Sequence, residues 1–375
     1  MFEILISVSL SFAITFLAIP VIIKVSEVKM LFDVPDARKI HVTPIPSLGG
    51  LGIFAGFVIT CLLTIPFFNA PEFQFFIAAA LVIFFLGIKD DILIISPLKK
   101  FIGQVLAAFL IIYKGGVQIK SMHGFLGVNE LPEIFSLILT YFTVIVVINS
   151  FNLIDGVDGL AGMLGCMATT ILGLYFLKID IIPYACLSFA IAGSLAAFLI
   201  FNYNPAKIFM GDTGSLLIGL ISAILVIKFI NVSTSPLVSM PLESSPAIGF
   251  AILMIPLLDT LRVFAIRIIH RRSPFSPDRN HVHHLLLDRG FTHQKVTLTL
   301  VTINLFFILL AFLGRSLGTT MLIFMTGISF FAGIGLLYYN RIKKPVILAH
   351  SSNKDSNKIG SSKILLTKSA VLEEK

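Results

Sequence analysis

Asn149, Asn152, Asp155 and Asp158 recur at every third position of NSFNLIDGVDG, residues 149–159. Amide and carboxylate oxygens suit a hard cation such as Mg2+. A three-residue step on a helix keeps side chains on one face, turn after turn. A plain Asn/Asp/Gly turn would use the same residue types, but it needs fewer of them at so strict a spacing. A second acidic element is Lys89-Asp90-Asp91, followed by Lys99 and Lys100. Adjacent carboxylates repel unless a cation or hydrogen bonds neutralise them. Helical neighbours point about 100° apart. One aspartate is therefore expected to face the reaction and the other the lysines or a backbone N–H. Simple capping is a weaker reading, because acids sit poorly at a helix C-terminus.

Three further polar segments stand out. Gly211-Asp212-Thr213-Gly214-Ser215 opens an apolar run, which puts Asp212 near a helix N-cap, where backbone N–H groups attract anions. Simple capping by Asp212 or Thr213 is the plainer reading. The loop from His41 to Gly50 is rich in proline and glycine; the prolines stiffen it and the glycines let backbone approach a ligand. The last segment runs from Arg271-Arg272 through Asp278-Arg279-Asn280-His281-Val282-His283-His284. Arginine offers forked donors to phosphate. The histidines could ligate zinc, although no cysteine accompanies them, or contact phosphate or sugar. On a helix His281 and His284 would share a face and His283 would point elsewhere.

The elements that must hold these residues are set by composition. The chain has 375 residues, of which 57% are hydrophobic and 13% charged. A soluble domain of that size needs a far more charged surface. The three cysteines, Cys61, Cys166 and Cys186, lie in apolar runs and read as small buried hydrophobes. A span needs roughly 20 apolar residues. The candidates are 4–23, 48–66, 73–88, 98–113, 134–148, 160–177, 182–201, 213–230, 247–269, 295–314 and 318–339, about eleven in all. The first follows Glu3 rather than a basic segment and is expected to be retained as a span. Lys and Arg concentrate in alternate loops, which places those loops in the cytoplasm, the N-terminus outside and the C-terminus inside. All five polar segments then fall on the cytoplasmic side. The 115–133 loop is expected to carry a small external hairpin. The expected organisation is an all-α polytopic membrane protein with a catalytic region over 1–340 and a basic, disordered cytoplasmic tail over 341–375. The net charge of +8 sits largely in that tail and favours an anionic leaflet over nucleic acid.

Acidic and amide groups for a metal, basic groups for phosphates and an apolar body together point to phosphoryl transfer at a membrane face. At LGIKDD (86–91) with Lys100 and Gln104, at NSFNLIDGVDGLAG (149–162), at IFMGDTGSLLIG (208–219) and at DRNHVHHLLLDRG (278–290), the chain resembles the polyprenyl-phosphate N-acetylhexosamine-1-phosphate transferase superfamily, most closely its bacterial N-acetylglucosamine-using branch. The resemblance covers roughly residues 1–340. It implies that polyprenyl phosphate, such as undecaprenyl phosphate, attacks the sugar-linked phosphate of UDP-N-acetylglucosamine and that UMP leaves, initiating a cell-surface glycan. It implies Asp90 and Asp91 as the catalytic pair and Asn152 and Asp212 as ligands of Mg2+, with Mn2+ as the alternative. His41, Lys100, Asn149, Asp155, Asp158, Arg279, His281, His283 and His284 are the implied substrate contacts. Ser47 stands where relatives often carry a basic residue. The expected setting is the cytoplasmic membrane of a bacterium, with a homodimer left open. Two alternatives are the same reaction with another UDP-N-acetylhexosamine and an ion-coupled transporter. Transporter sites lie near the midplane, between repeated halves, whereas these motifs sit at one edge.

Overall fold

A bilayer offers no hydrogen-bond partner to exposed backbone, so apolar segments of this length close their own bonds as helices. The computed structural model describes residues 2–33, 45–93, 95–273 and 280–339, with 347–348 and 365–366. The helices are α1 (Phe2–Lys29), α2 (Gly49–Thr64), α3 (Glu72–Leu93), α4 (Pro97–Phe109, continuing as a π-helical turn over Leu110–Lys114), α5 (Glu133–Ile154), α6 (Leu160–Lys178), α7 (Ile182–Asn202), α8 (Gly211–Ser233), α9 (Ser245–Ile252), α10 (Met254–Ile269), α11 (Val282–Leu287), α12 (His293–Leu313) and α13 (Thr319–Tyr339). All eleven expected segments are helical. Among the described residues, seven helices are long and apolar enough to cross a membrane: α1, α5, α6, α7, α8, α12 and α13. Short antiparallel strand pairs join β1 (Phe32–Asp33) to β2 (Ile45–Pro46), β3 (Ser121–Phe125) to β4 (Val128–Glu130), and β5 (Ile347–Leu348) to β6 (Leu365–Leu366). The hairpin expected within 115–133 is thus present. The rest of the expected tail, 341–375, lies outside the described residues.

Helices α7 and α8 form the centre, with 78% of their apolar windows buried, against 22% for the peripheral α1 and α13. Helix α8 packs on α3, α5, α2 and α6, so its N-terminus is reached by several elements at once. Helix α1 shows what solvent the fold expects. Ser7, Ser11 and Thr15 face inward at four-residue steps, while Leu5, Leu17 and Val21 face out. Small polar residues inside and large apolar ones outside is the packing pattern of membrane helices. Thr15 Oγ1 donates to the Gly52 carbonyl of α2 at 3.1 Å, a bond between two helices.

Two expectations need correction. The segment 247–269 is not one helix: it breaks at Leu253 between α9 and α10. Pro256 lacks the N–H that would bond to the Ile252 carbonyl four residues back. Asn304 of α12 fills the gap, donating to Ile252 O at 3.1 Å and accepting from Ile255 N at 3.0 Å. The second correction concerns Gly49 and Gly50. Their bare backbone approaches the 209–214 turn rather than a ligand. Gly49 N donates to Phe209 O at 2.9 Å and Gly50 N to Met210 O at 2.8 Å. A Cβ at Gly50 would lie 2.2 Å from Gly214 N. Gly50→Ala should therefore cost about 1–3 kcal/mol of stability. Gly335→Ala, with nothing within 4 Å, should cost none. Thermal unfolding of both variants in detergent checks this.

Candidate active site

The site is built around the first turn of α8. Gly211 opens it at φ +71°, a conformation that side chains rarely adopt. A Cβ there would also meet Ser47 O at 2.2 Å and both Asp91 oxygens at 2.8 Å. The opening N–H groups of α8 are aimed at a carboxylate from another helix. Asp91 of α3 accepts from Asp212 N at 2.7 Å through Oδ1, and from Thr213 N at 3.1 Å and Thr213 Oγ1 at 2.6 Å through Oδ2. The plainer alternative, capping by the Asp212 or Thr213 side chain, is not what the structure shows. The anion attracted by the N-terminus is Asp91, and the Asp212 side chain is free to turn elsewhere.

It turns toward Lys100. The Lys100 ammonium donates to Asp90 Oδ2 at 3.1 Å, to Asn152 Oδ1 at 3.2 Å and to Asp212 Oδ2 in a short contact. Asp90 also accepts from Ile95 N at 2.7 Å, which fixes it where α3 gives way to α4. Asn152 donates to Asp212 Oδ1 at 2.7 Å and to Ser215 Oγ at 3.0 Å. Adjacent Asp90 and Asp91 thus face different partners, one the lysine and one a helix N-terminus. One turn before Asn152, Asn149 is buried in a reciprocal amide pair with Gln104, at 2.8 and 3.3 Å. Asn149 braces α5 on α4 and leaves Asn152 to face the carboxylates.

The shared face of 149–158 does not continue. Helix α5 ends at Ile154, and Asp155 caps it with ψ 45°. Asp155 is half-buried at the rim. Burial raises its carboxyl well above the ordinary carboxylate range, and Asp212, Asp91 and Asp158 add to the shift. Asp158 turns away. Its Oδ2 accepts from Asn204 Nδ2 at 2.7 Å and Ala206 N at 3.3 Å, and its Oδ1 faces His293 Nδ1 at 3.1 Å. Burial alone would raise this carboxyl, but His293 and the two donors more than reverse it and leave it below its usual value. Asp158 therefore ties the α5–α6 turn to the loop after α7 and to the start of α12.

The histidine segment also differs from a helical face. His281 precedes α11 in an extended conformation, and its ring stacks parallel to His283 at 5.6 Å. The His283–His284 centroid distance is 4.3 Å. A Cβ at Gly156 would lie 2.7 Å from His283 Nε2, so that glycine admits the imidazole beside Asp155. Burial holds His283 well below the ordinary histidine range, and His284 pushes the same way. His281 Nδ1 is 2.8 Å from Asp259 Oδ2. Among the described residues no trio of His, Cys, Asp or Glu is placed to hold a metal. His41 and Arg279 lie outside the described residues. Asp259 and Arg262 were not singled out from the sequence, and Ser215 was named only as part of its segment. An Asp and an Arg three residues apart in an apolar run was the available signal for the first two.

Two predictions follow from this geometry. Asp91→Asn places an amide N–H2 against donors already committed to α8, so it should cost about 1–3 kcal/mol of thermal stability. Its turnover should also stay low at alkaline pH, since the lost function is position and not proton removal. A pH–rate series beside thermal unfolding checks both. The raised Asp155 carboxyl has a defined sign. Its protonated form stabilises the fold at acid pH, and that contribution is lost as pH rises through the raised value. Midpoints measured against pH without divalent metal should fall in the parent protein. Asp155→Asn, neutral throughout, should flatten the curve.

Comparison with known proteins agrees with the motifs. The family profile described as "Glycosyl transferase family 4" matches residues 73–230. That interval holds the Asp pair, Lys100, Asn152 and Asp212. The undecaprenyl-phosphate alpha-N-acetylglucosaminyl 1-phosphate transferase of Yersinia pestis is 31% identical over 81% of this chain and 80% of its own length. The probable undecaprenyl-phosphate N-acetylglucosaminyl 1-phosphate transferase of Bacillus subtilis (strain 168) is 30% identical over 81% of this chain and 83% of its own. The decaprenyl-phosphate N-acetylglucosaminephosphotransferase of Mycobacterium leprae is 32% identical, covering 70% and 72%. With the acidic cluster around Lys100 standing inside the matched segment, this multi-pass membrane chain belongs to glycosyl transferase family 4.

Proposed function

We propose that this protein transfers N-acetylglucosamine-1-phosphate from UDP-N-acetylglucosamine to a polyprenyl phosphate, giving polyprenyl-diphosphate-N-acetylglucosamine and UMP. One observation carries the reading: oxygens of Asp90, Asn152 and Asp212 converge on the Lys100 ammonium at the ends of lipid-facing helices. The relatives named above supply the substrate class. Helix α4 borders both partners. Lys100 and buried Gln104 face in, and Leu98, Ile102 and Leu106 face out toward lipid. A lipid phosphate and a soluble nucleotide sugar can meet where these faces join.

In the reaction an oxygen of the lipid phosphate attacks the sugar-bearing phosphorus of the donor. A new P–O bond forms, and the bond to the UMP oxygen breaks. The residues fit a divalent ion, because three hard oxygens already surround one positive charge, and Mg2+ is commonly held by one or two carboxylates plus substrate phosphates. Asp212 and Asn152, with Asp90 beside them, would hold it. When bound, such an ion neutralises charge on the pyrophosphate. Lys100 contacts the phosphates, and Asp90 sets where its ammonium lies. Asp91 keeps the first turn of α8, and with it Asp212, in place. In this reading the chain crosses the membrane about eleven times with its N-terminus outside, and these motifs face the cytoplasm of a bacterial cell, where a soluble nucleotide sugar is at hand; the alternation of basic loops supports it. The chain could act alone or as a homodimer.

The test is direct. Membranes holding the protein, supplied with labelled UDP-N-acetylglucosamine, undecaprenyl phosphate and Mg2+, should move label into the lipid phase and release UMP, and EDTA should stop both. Asp212→Ala and Asn152→Ala should abolish turnover while the protein stays folded by size-exclusion and thermal unfolding. No lipid-linked product with any UDP-hexosamine sinks the proposal. Substantial turnover in either variant removes that residue from the metal site.

A further inference from the structure

Asp259 lies on α10, inside an apolar run, and is fully buried. Its carboxylate accepts from three donors. Oδ2 accepts from His281 Nδ1 at 2.8 Å, and Oδ1 accepts from Val282 N at 3.0 Å and from Arg262 Nη2 at 2.8 Å. Arg262 is itself anchored, donating to Tyr338 OH at 3.2 Å and to the Asn280 carbonyl in a short contact. A carboxylate holding three donors acts as an acceptor only, so the His281 proton is placed on Nδ1. The other ring nitrogen is then committed to face away from Asp259. His281 Nε2 is buried and has no hydrogen-bond partner among the described residues, in a side chain only 5% exposed. The neighbouring His283 Nδ1 is likewise buried without a partner among them. A buried polar atom left unmatched costs about 1–3 kcal/mol, and these two on parallel rings leave two hydrogen-bond sites that a ligand can complete.

The surroundings select the ligand's chemistry. Asp259 is already neutralised by Arg262, so the pair adds no net positive charge. His283 sits over Gly156. Arg262, already paired with Asp259, offers a phosphate no free counter-charge here. A neutral group rich in hydroxyl and amide functions can both donate to and accept from these rings.

We propose that Asp259 is a positioning residue, held by Arg262, that fixes the tautomer and angle of His281 so that Nε2 hydrogen-bonds the N-acetylhexosamine part of the donor. This rests on the transfer reaction proposed above. Asp259 touches no substrate; it acts through His281. UMP lacks the sugar and serves as the internal reference.

The experiment measures KM for UDP-N-acetylglucosamine, kcat, and the inhibition constant of UMP for Asp259→Asn, His281→Gln and the double variant. Asp259→Asn should raise the donor KM about tenfold, the scale on which such outer partners act, and leave UMP inhibition within about twofold. The double variant should be no worse than His281→Gln alone, because a residue acting only through another is not additive with it. Unchanged KM, parallel weakening of UMP, or additive losses would each overturn the proposal. UMP binding reports that the fold survives. If Asp259→Asn does not fold, Arg262→Lys read in the same way should raise donor KM by a smaller factor, and no change there overturns it. A parent protein that binds UMP yet makes no lipid-linked sugar fails the functional reading instead. An active parent with an indistinguishable Asp259→Asn fails only the positioning role.

Discussion

Like charges gathered in a small space dominate this structure. Asp90, Asp91, Asp155, Asp158 and Asp212 sit at one end of the helices, and each needs its own neutralisation. Asp91 takes the N-terminus of α8. Asp158 takes His293, Asn204 and the Ala206 N–H. Asp90 and Asp212 share Lys100. Asp155 is left with none of these, and burial among the other carboxylates pushes its carboxyl well above the ordinary range. The arrangement of α3, α4, α5 and α8 follows from this division, because each helix delivers either a charge or the group that offsets it. Lys100 is the pivot. Without it two carboxylates and an amide oxygen would face one another partly out of water, a situation that costs about 3–5 kcal/mol when one partner of a buried pair is removed.

The second constraint is the membrane. Lipid gives no hydrophobic reward for bringing helices together, so contact depends on small residues and inter-helix hydrogen bonds. That is why Ser7, Ser11 and Thr15 line the inner face of α1, and why Gly50 lets α2 touch the backbone of α8. It also explains the Asn304 bridge across the α9–α10 break, since freed backbone groups at that depth have no water to turn to. The break matters for the site. It divides the run that carries Asp259 and lets α10, rather than one straight helix, approach α5 and the histidine segment.

Long apolar runs were legible because composition and length suffice to make them helical in lipid. The gathering of the acidic and amide motifs at one end was legible from the alternation of basic loops. The divided facing of Asp90 and Asp91 could be expected from helical geometry and charge repulsion alone. Other features were not readable from spacing. A three-residue period says nothing about where a helix stops, and α5 stops at Ile154, so Asp155 and Asp158 part company with Asn152. Glycines signal close approach but not its partner, which for Gly50 is Gly214 rather than a ligand. Asp259 and Arg262 were hidden in an apolar stretch, because a pair that neutralises itself inside a helix leaves the hydropathy pattern nearly intact.

The Asp pair bears on mechanism through what its oxygens already do. A phosphate monoester has a second pKa near 6, so roughly nine-tenths of it is the dianion at pH 7. Removing the remaining proton would gain about 1 kcal/mol or less. Alignment and charge stabilisation can supply several times that. Asp90 Oδ1 is engaged by Ile95 N and Oδ2 by Lys100, while both Asp91 oxygens hold the first turn of α8. Held by these donors, the two carboxylates fix the positions of Lys100 and of the α8 turn that carries Asp212. The pair is thus held at two separate targets, the Lys100 ammonium and the first turn of α8.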